Sequence, residues 1–147
     1  MDQTARRGEF LISTDKNLLD VPFITGFLSG SYWAKNIPAE TVLKAISGSV
    51  CFGIYKKNVQ IGFARVVTDE ATFAYLADVF ITQENRGQGL SKWLMEIILA
   101  HPGLQGLRRF LLATRDAQGL YAQFGFTPIT NPDRWMQIHN PDVYKFK

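Results

Sequence analysis

The chain has 147 residues, 46% hydrophobic and 20% charged, with 11 Phe, 5 Tyr and 3 Trp, which is enough apolar surface for one core and too short a chain for two full domains. A net charge of +3 suits an anionic ligand and falls short of a nucleic-acid coat, while one cysteine (Cys51) and two histidines (His101, His139) exclude an internal disulfide and a zinc-type cluster. No run approaches the roughly 18 to 20 apolar residues that span a bilayer, and Met1–Glu9 lacks an apolar signal core. The expectation is therefore a soluble, cytoplasmic protein with no membrane or nucleic-acid partner and no metal, a single domain over 10–147 behind a flexible tail at 1–9.

Phe10–Ser13 reads as a short first strand, and Asp15–Ser29 carries apolar residues at mixed spacing with Pro22 near a helix start. After Pro38, the helical spacing of Val42, Leu43 and Ile46 predicts a short helix over Ala39–Ile46, ended by Gly48. Ser49–Lys56 and Val59–Thr68, separated by Lys57 and Asn58, form the pattern of an antiparallel hairpin. Phe73–Thr82 is apolar at nearly every position, which predicts a central strand covered on both faces, with Asp78 the exception inside it. Leu90, Trp93, Leu94, Ile97 and Ile98 then fall on one helical stripe that stops at Pro102 and Gly103. Arg109–Thr114 predicts another buried strand, Ala117–Phe124 a helix with Asp116 as N-cap and Gly125 as C-cap, and Arg134–His139 a closing strand. This order gives an α/β protein built on a mixed sheet with a strand-to-helix crossover in its middle.

The chemistry concentrates where the strand ending near Ile81 runs through Gln83-Glu84-Asn85 into Arg86-Gly87-Gln88-Gly89-Leu90-Ser91 and directly into a helix. Two glycines let an anion approach the backbone, and the first N–H groups of a helix point outward at the positive end of its dipole. Arg86 adds a positive charge and Ser91 a hydroxyl. The turn is not a P-loop, which needs Lys and Ser or Thr after its last glycine, nor a dinucleotide fingerprint, which needs three glycines in an N-terminal βαβ unit.

In these residues the sequence resembles the GNAT superfamily of acyl-CoA-dependent N-acyltransferases. Arg86-Gly87-Gln88-Gly89-Leu90-Ser91 matches the family's Arg/Gln-x-x-Gly-x-Gly/Ala pyrophosphate turn at its first and fourth positions, with Ser91 replacing the small apolar sixth residue. Downstream, Ala117, Leu120, Tyr121, Gly125 and Phe126 match the family's Asn-x-x-Ala-x-x-Leu-Tyr-x-x-x-Gly-Phe pattern, with Thr114 where Asn is usual. Gly30-Ser31-Tyr32-Trp33-Ala34-Lys35 also looks like a segment of a widespread bacterial branch of that superfamily.

The resemblance implies a GNAT-like fold, a central sheet of six to seven strands flanked by about four helices, and transfer of an acetyl group from acetyl-CoA to a primary amine of a small molecule or peptide. It assigns the cofactor to Val79, Phe80 and Ile81, to the backbone from Arg86 through Gly87, Gln88, Gly89 and Leu90 to Ser91, and to Thr114. Tyr121 becomes the acid that protonates the leaving thiolate, and a backbone N–H near Val79 polarises the thioester carbonyl. A protonated amine needs a proton acceptor, for which Asp78 is the first candidate, with Asp69 and Glu70 in reserve; Asp78 reads equally as a hydrogen-bond partner where the sheet splays. Phe27, Tyr32 and Trp33 are candidates for an acceptor pocket or for plain core. Cys51 in an apolar strand reads as a buried thiol rather than a nucleophile. A non-enzymatic module that keeps the fold as a CoA sensor or interaction surface is the alternative function, and a homodimer is compatible with either.

Overall fold

The computed structural model describes residues 2–145. Among these, six strands make one mixed sheet in sequential order, joined by four α-helices. The first two strands, β1 (Thr4–Arg7) and β2 (Phe10–Ser13), form a hairpin closed at Gly8, whose φ of +58° is the left-handed backbone that glycine adopts freely. Part of the expected tail is thus an edge strand. Its polar sequence conceals this, because only Ala5 faces the core while the Arg7 guanidinium lies over the Trp93 ring at 4.8 Å.

Helix α1 (Val21–Ser29) starts where Asp20 accepts a hydrogen bond from the Phe23 N–H, with Pro22 in the first turn. Helix α2 (Ala39–Ser47) follows Pro38 and ends at Gly48. The antiparallel pair β3 (Val50–Lys56) and β4 (Val59–Thr68) turns through Lys57 and Asn58, both at positive φ, as a two-residue hairpin requires. Strand β5 (Phe73–Ile81) lies between β4 and β6 (Arg109–Leu112), antiparallel to the first and parallel to the second, in the central place its apolar sequence predicts. The crossover from β5 to β6 runs through α3 (Leu90–Leu99).

Two apolar layers sandwich the sheet. On one face, α3 and Tyr121 pack on Ile12, Phe52, Ile54, Ala64, Val66 and Leu76. On the other, Ile24 and Leu28 of α1 and Val42 and Ile46 of α2 close over Cys51, Phe63 and Phe80. Burial of this order stabilises by about 1.5–3 kcal/mol per large side chain and positions the strand ends described below.

Two expectations fail after β6. The last helix, α4, spans only Gln118–Ala122; its N-cap is Ala117, with no side-chain cap from Asp116 or any other residue, and the Thr114 hydroxyl accepts from the Ala117 N–H at 3.0 Å just ahead of it. Gly125 (φ +94°) does end it, with the Phe126 N–H returning to the Tyr121 carbonyl. Arg134–His139 is not a closing strand. A 3-10 turn over Pro132–Arg134 leads into a stretch without regular structure that pairs with no strand among the described residues, and Met136 and Ile138 stand in solvent.

Candidate active site

Strands β5 and β6 pair only from Phe73 to Leu76 against Arg109 to Leu112. Beyond that point β5 continues to Ile81 while β6 ends, and a cleft of about 980 Å³ opens between Ala77–Ile81 and 113–117. The divergence begins at a bulge. Phe63 pairs with Phe80 and Arg65 with Ala77, so Ala64 alone opposes both Asp78 and Val79. Asp78, at this bulge, takes the left-handed conformation (φ +56°), which Asp tolerates better than most residues. The insertion lifts the Val79 backbone out of the regular ladder at the wall of the cleft.

At the far end of β5 the chain passes through the 3-10 turn Gln83–Asn85 into the two-glycine turn. Gly87 (φ +80°) and Gly89 (φ +79°) both lie in the left-handed region, and no atom outside the immediate turn comes within 4 Å of where a Cβ would stand on either. Gly89 is the N-cap of α3, and the first intrahelical bond, from the Trp93 N–H to the Gly89 carbonyl, leaves the N–H groups of Leu90, Ser91 and Lys92 outside the helical ladder. Arg86 Nε donates to the Ile81 carbonyl at 2.9 Å, which ties the guanidinium to the strand end and leaves its terminal nitrogens for a ligand. Buried Asn85 holds the turn through Thr82 Oγ1, and Gln88 Nε2 donates to the Asn85 carbonyl. This is an anion cradle built from backbone, of a size and charge that could hold a phosphate or diphosphate group. Arg86 and Ser91 line the cleft, whereas the Leu90 side chain is buried in the core, so that Leu90 offers its N–H alone.

Tyr121 reaches the same cleft from α4, 8% exposed and packed edge-on against Phe126. Burial, with a smaller contribution from Tyr32, holds its phenol above the ordinary value, so it stays protonated at neutral pH. Thr114 lines the cleft opposite β5; its oxygen accepts from Ala117, while its own proton remains available to donate.

Another part of the cleft lining is aromatic. Phe27 stacks on Phe80 with ring centroids 3.8 Å apart and planes 6° from parallel, Tyr32 and Trp33 meet edge to face, and the Arg115 guanidinium lies 3.8 Å from the Tyr32 centroid. Phe80 itself is core, so its side chain shapes the cleft wall from behind. Asp78 is held on both oxygens: Oδ2 accepts from Arg65 Nε at 2.8 Å and Oδ1 from Trp33 Nε1 at 2.9 Å. Asp69 caps the β4–β5 connection instead of facing the cleft. Backbone N–H groups of Thr72, Ala71 and Phe73 and the Thr72 hydroxyl donate to its carboxylate, and the Thr72 N–H leads in holding its pKa well below the usual range. Glu70 lines a separate cavity beside His101. The thiol of Cys51 is buried, and desolvation pushes it up to about 11, which makes it a poor nucleophile.

Residues 47–128 match the family model of the acetyltransferase (GNAT) domain. The chain belongs to the GNAT family. It is 35% identical over 144 residues to a Gibberella zeae protein named as a candidate acetyltransferase, covering 82% of this chain and 80% of that one. A crystal structure from Xanthomonas campestris pv. campestris, described as a candidate acetyltransferase of the GNAT family, is 52% identical and superposes with a TM-score of 0.90 over 92% of this chain and 96% of the other. A Clostridium acetobutylicum structure described as a candidate acetyltransferase with acetyl-CoA shares the fold at a TM-score of 0.63 with 11% identity, over 95% of each chain.

Several residues of this GNAT cleft escape sequence reasoning. Arg65 is the partner of Asp78, and Tyr75, Arg115 and Tyr144 also line the cleft. A lone arginine in the apolar run of β4 is a signal for a buried carboxylate partner, whereas nothing in the sequence marks Tyr144 as a residue of the cleft.

Proposed function

We propose that this GNAT protein is an N-acetyltransferase that moves the acetyl group of acetyl-CoA directly onto a primary amine in a ternary complex. The observation that carries this reading is the splay of β5 from β6, which ends in the two-glycine cradle at the start of α3. The fold neighbour from Clostridium acetobutylicum, solved with acetyl-CoA, supports the choice of donor.

Acetyl-CoA supplies the activated acyl carbon and a thiolate leaving group. The protein's part is positioning and proton management. The Arg86 guanidinium and the N–H groups from Gly87 to Ser91 hold the pyrophosphate, Val79 and Ile81 offer backbone groups to the pantetheine arm, and Thr114 can donate to it from the opposite wall. The Val79 N–H, at the bulge, would donate to the carbonyl oxygen where negative charge develops. Tyr121 donates its proton to the sulfur as the C–S bond breaks, and its raised pKa keeps that proton available.

Asp78 is better suited to positioning than to proton abstraction, because both oxygens already accept hydrogen bonds from Arg65 and Trp33. It fixes Trp33 at the acceptor side and braces the bulge that carries Val79. The amine then enters neutral, or loses its proton to water in the open cleft, and its surplus proton leaves to solvent after attack. Phe27, Tyr32 and Trp33 form the aromatic wall against which the acceptor lies.

Calorimetric titration with acetyl-CoA tests the reading, followed by thiol release with a panel of amines. Micromolar binding is expected in the protein and none in Gly89→Glu, whose carboxylate would meet the diphosphate. Gly89→Asn, uncharged and tolerant of left-handed backbone, should bind within about tenfold and so separates charge from strain. A folded protein that fails to bind acetyl-CoA refutes the proposal. Binding without turnover on any amine supports a non-enzymatic sensor.

A further inference from the structure

We propose that Arg115 determines acceptor specificity, and that the acceptor is an amine carrying an anionic group, a carboxylate or a phosphate, which the Arg115 guanidinium binds. The inference rests on the acetyltransferase reading above and adds to it the class of acceptor. Three arginines line the cleft: Arg65, Arg86 and Arg115. Two of them already have work. Arg65 donates to Asp78 and to Ser49, and Arg86 is tied to the Ile81 carbonyl at the two-glycine turn. Arg115 lies exposed between β6 and α4 and makes no ion pair or side-chain hydrogen bond among the described residues. What it touches is the ring of Tyr32, 3.8 Å from the centroid.

That contact fixes where the charge stands. Tyr32 meets Trp33 edge to face with centroids 5.1 Å apart, Trp33 Nε1 donates to Asp78, and Asp78 is held by Arg65 of β4. The guanidinium is the outermost member of a connected series of side chains that begins in the sheet. An arginine in contact with an aromatic face keeps its N–H donors in its own plane, where their fork matches two oxygens of a carboxylate or phosphate. Tyr32 also lies close enough to Tyr121 to contribute to the raised pKa of its phenol. The unpaired charge therefore stands beside the end of the cleft where the acetyl group is transferred.

The remaining charges of the lining disfavour a purely cationic acceptor. Its acidic residues are Asp78 and Asp116. Both oxygens of Asp78 already accept hydrogen bonds, while Asp116 is exposed and in no ion pair with its neighbour Arg115. An aromatic ring attracts an ammonium group through its face, but Arg115 already covers a face of Tyr32, and a second cation there meets like charge. An anion beside the same ring relieves that charge. If Asp116 rather than Arg115 selected the acceptor, a diamine would be preferred, which is a distinct experimental outcome.

The test compares acceptors matched except for the anionic group: glycine and phenylalanine, each against its amide, phosphoethanolamine against ethanolamine, and putrescine as the cationic arm. In thiol release at saturating acetyl-CoA, the anionic member of at least one pair should exceed its neutral partner at least about tenfold in kcat/KM, mostly through KM. Which pair shows the larger ratio tells a carboxylate from a phosphate. Arg115→Gln should bring that ratio to within about threefold of unity, and Arg115→Lys, which keeps the charge without the fork, should restore part of it. Titration of the CoA complex with each amine reads recognition without turnover, and there too the anionic member should bind at least about tenfold more tightly. Both variants should bind acetyl-CoA within about twofold of the unmodified protein, which separates acceptor recognition from donor binding. With acetyl-CoA bound normally, an equal or greater preference for the neutral members or putrescine, a preference unaltered by Arg115→Gln, or neither binding nor turnover of any anionic member would each overturn the proposal. Weakened acetyl-CoA binding in both variants would place Arg115 on the donor instead and overturn it as well. Failure of the unmodified protein to bind acetyl-CoA is the separate result that refutes the acetyltransferase reading, and this inference with it.

Discussion

Replacing Asp78 separates a positioning role from a catalytic one. The Asp78 side chain is 11% exposed and that of Arg65 19%, so the 2.8 Å pair is nearly withdrawn from water. Breaking a fully buried pair costs about 3–5 kcal/mol and an exposed one about 0–1 kcal/mol. In Asp78→Asn the amide oxygen still accepts one of the two bonds, and Arg65 keeps a second partner in Ser49 Oγ at 3.1 Å. A loss of about 2 kcal/mol is therefore expected, lowering Tm by about 4–8 °C in a chain of this size. Asp78→Ala forfeits both bonds and adds about 1 kcal/mol of left-handed strain, which Asn avoids, giving about 3–4 kcal/mol. For activity, removing a general base costs about 10²–10⁴-fold, whereas loosening a brace should cost about tenfold or less and preserve the pH profile. The assay is thiol release from acetyl-CoA between about pH 6 and 10, paired with a thermal melt of each variant. A folded Asp78→Asn that loses more than about a hundredfold, with its acidic limb abolished, would refute the positioning argument and make Asp78 the base.

Tyr121→Phe should lower turnover by about 10²-fold while acetyl-CoA affinity stays within about twofold, since only the proton for the sulfur is removed; equal rates at every pH would dismiss it as the acid. The Cys51 thiol should resist alkylation at pH 8 in the folded protein and react at once in denaturant, and rapid native labelling would contradict its burial. Linkage follows from the same group. Its folded pKa of about 11 lies above the ordinary 9.0, so the folded state binds the extra proton between these values. Stability should be full below about pH 9 and fall as pH rises towards 11, in the same direction as the buried Tyr55 phenol, whose pKa is also raised by desolvation; denaturant midpoints across that range check it.

The two blocks that identify the family were legible because their chemistry is local. Gly87 and Gly89 need left-handed backbone within one turn, and Arg86 bonds a carbonyl five residues away, so a short stretch of sequence contains the whole device. The same holds for the central β5, whose nearly continuous apolar run announces cover on both faces, and for Lys57-Asn58, whose hairpin lies between two β-branched runs. Strand β1 was missed because an edge strand with one inward side chain carries almost no apolar period.

Periodicity and spacing in this chain determined the order of strands and helices between β2 and α4, the central strand and the anion-binding turn, since each depends on residues a few positions apart. Tertiary structure alone decided what Asp78 does, because its partners Trp33 and Arg65 arrive from 45 and 13 residues away and the bulge exists only as a mismatch between β4 and β5. It also decided the fate of Arg134–His139. Alternation licenses a strand, but a strand forms only where a neighbouring edge takes up its hydrogen bonds, and pairing is a property of two segments rather than one.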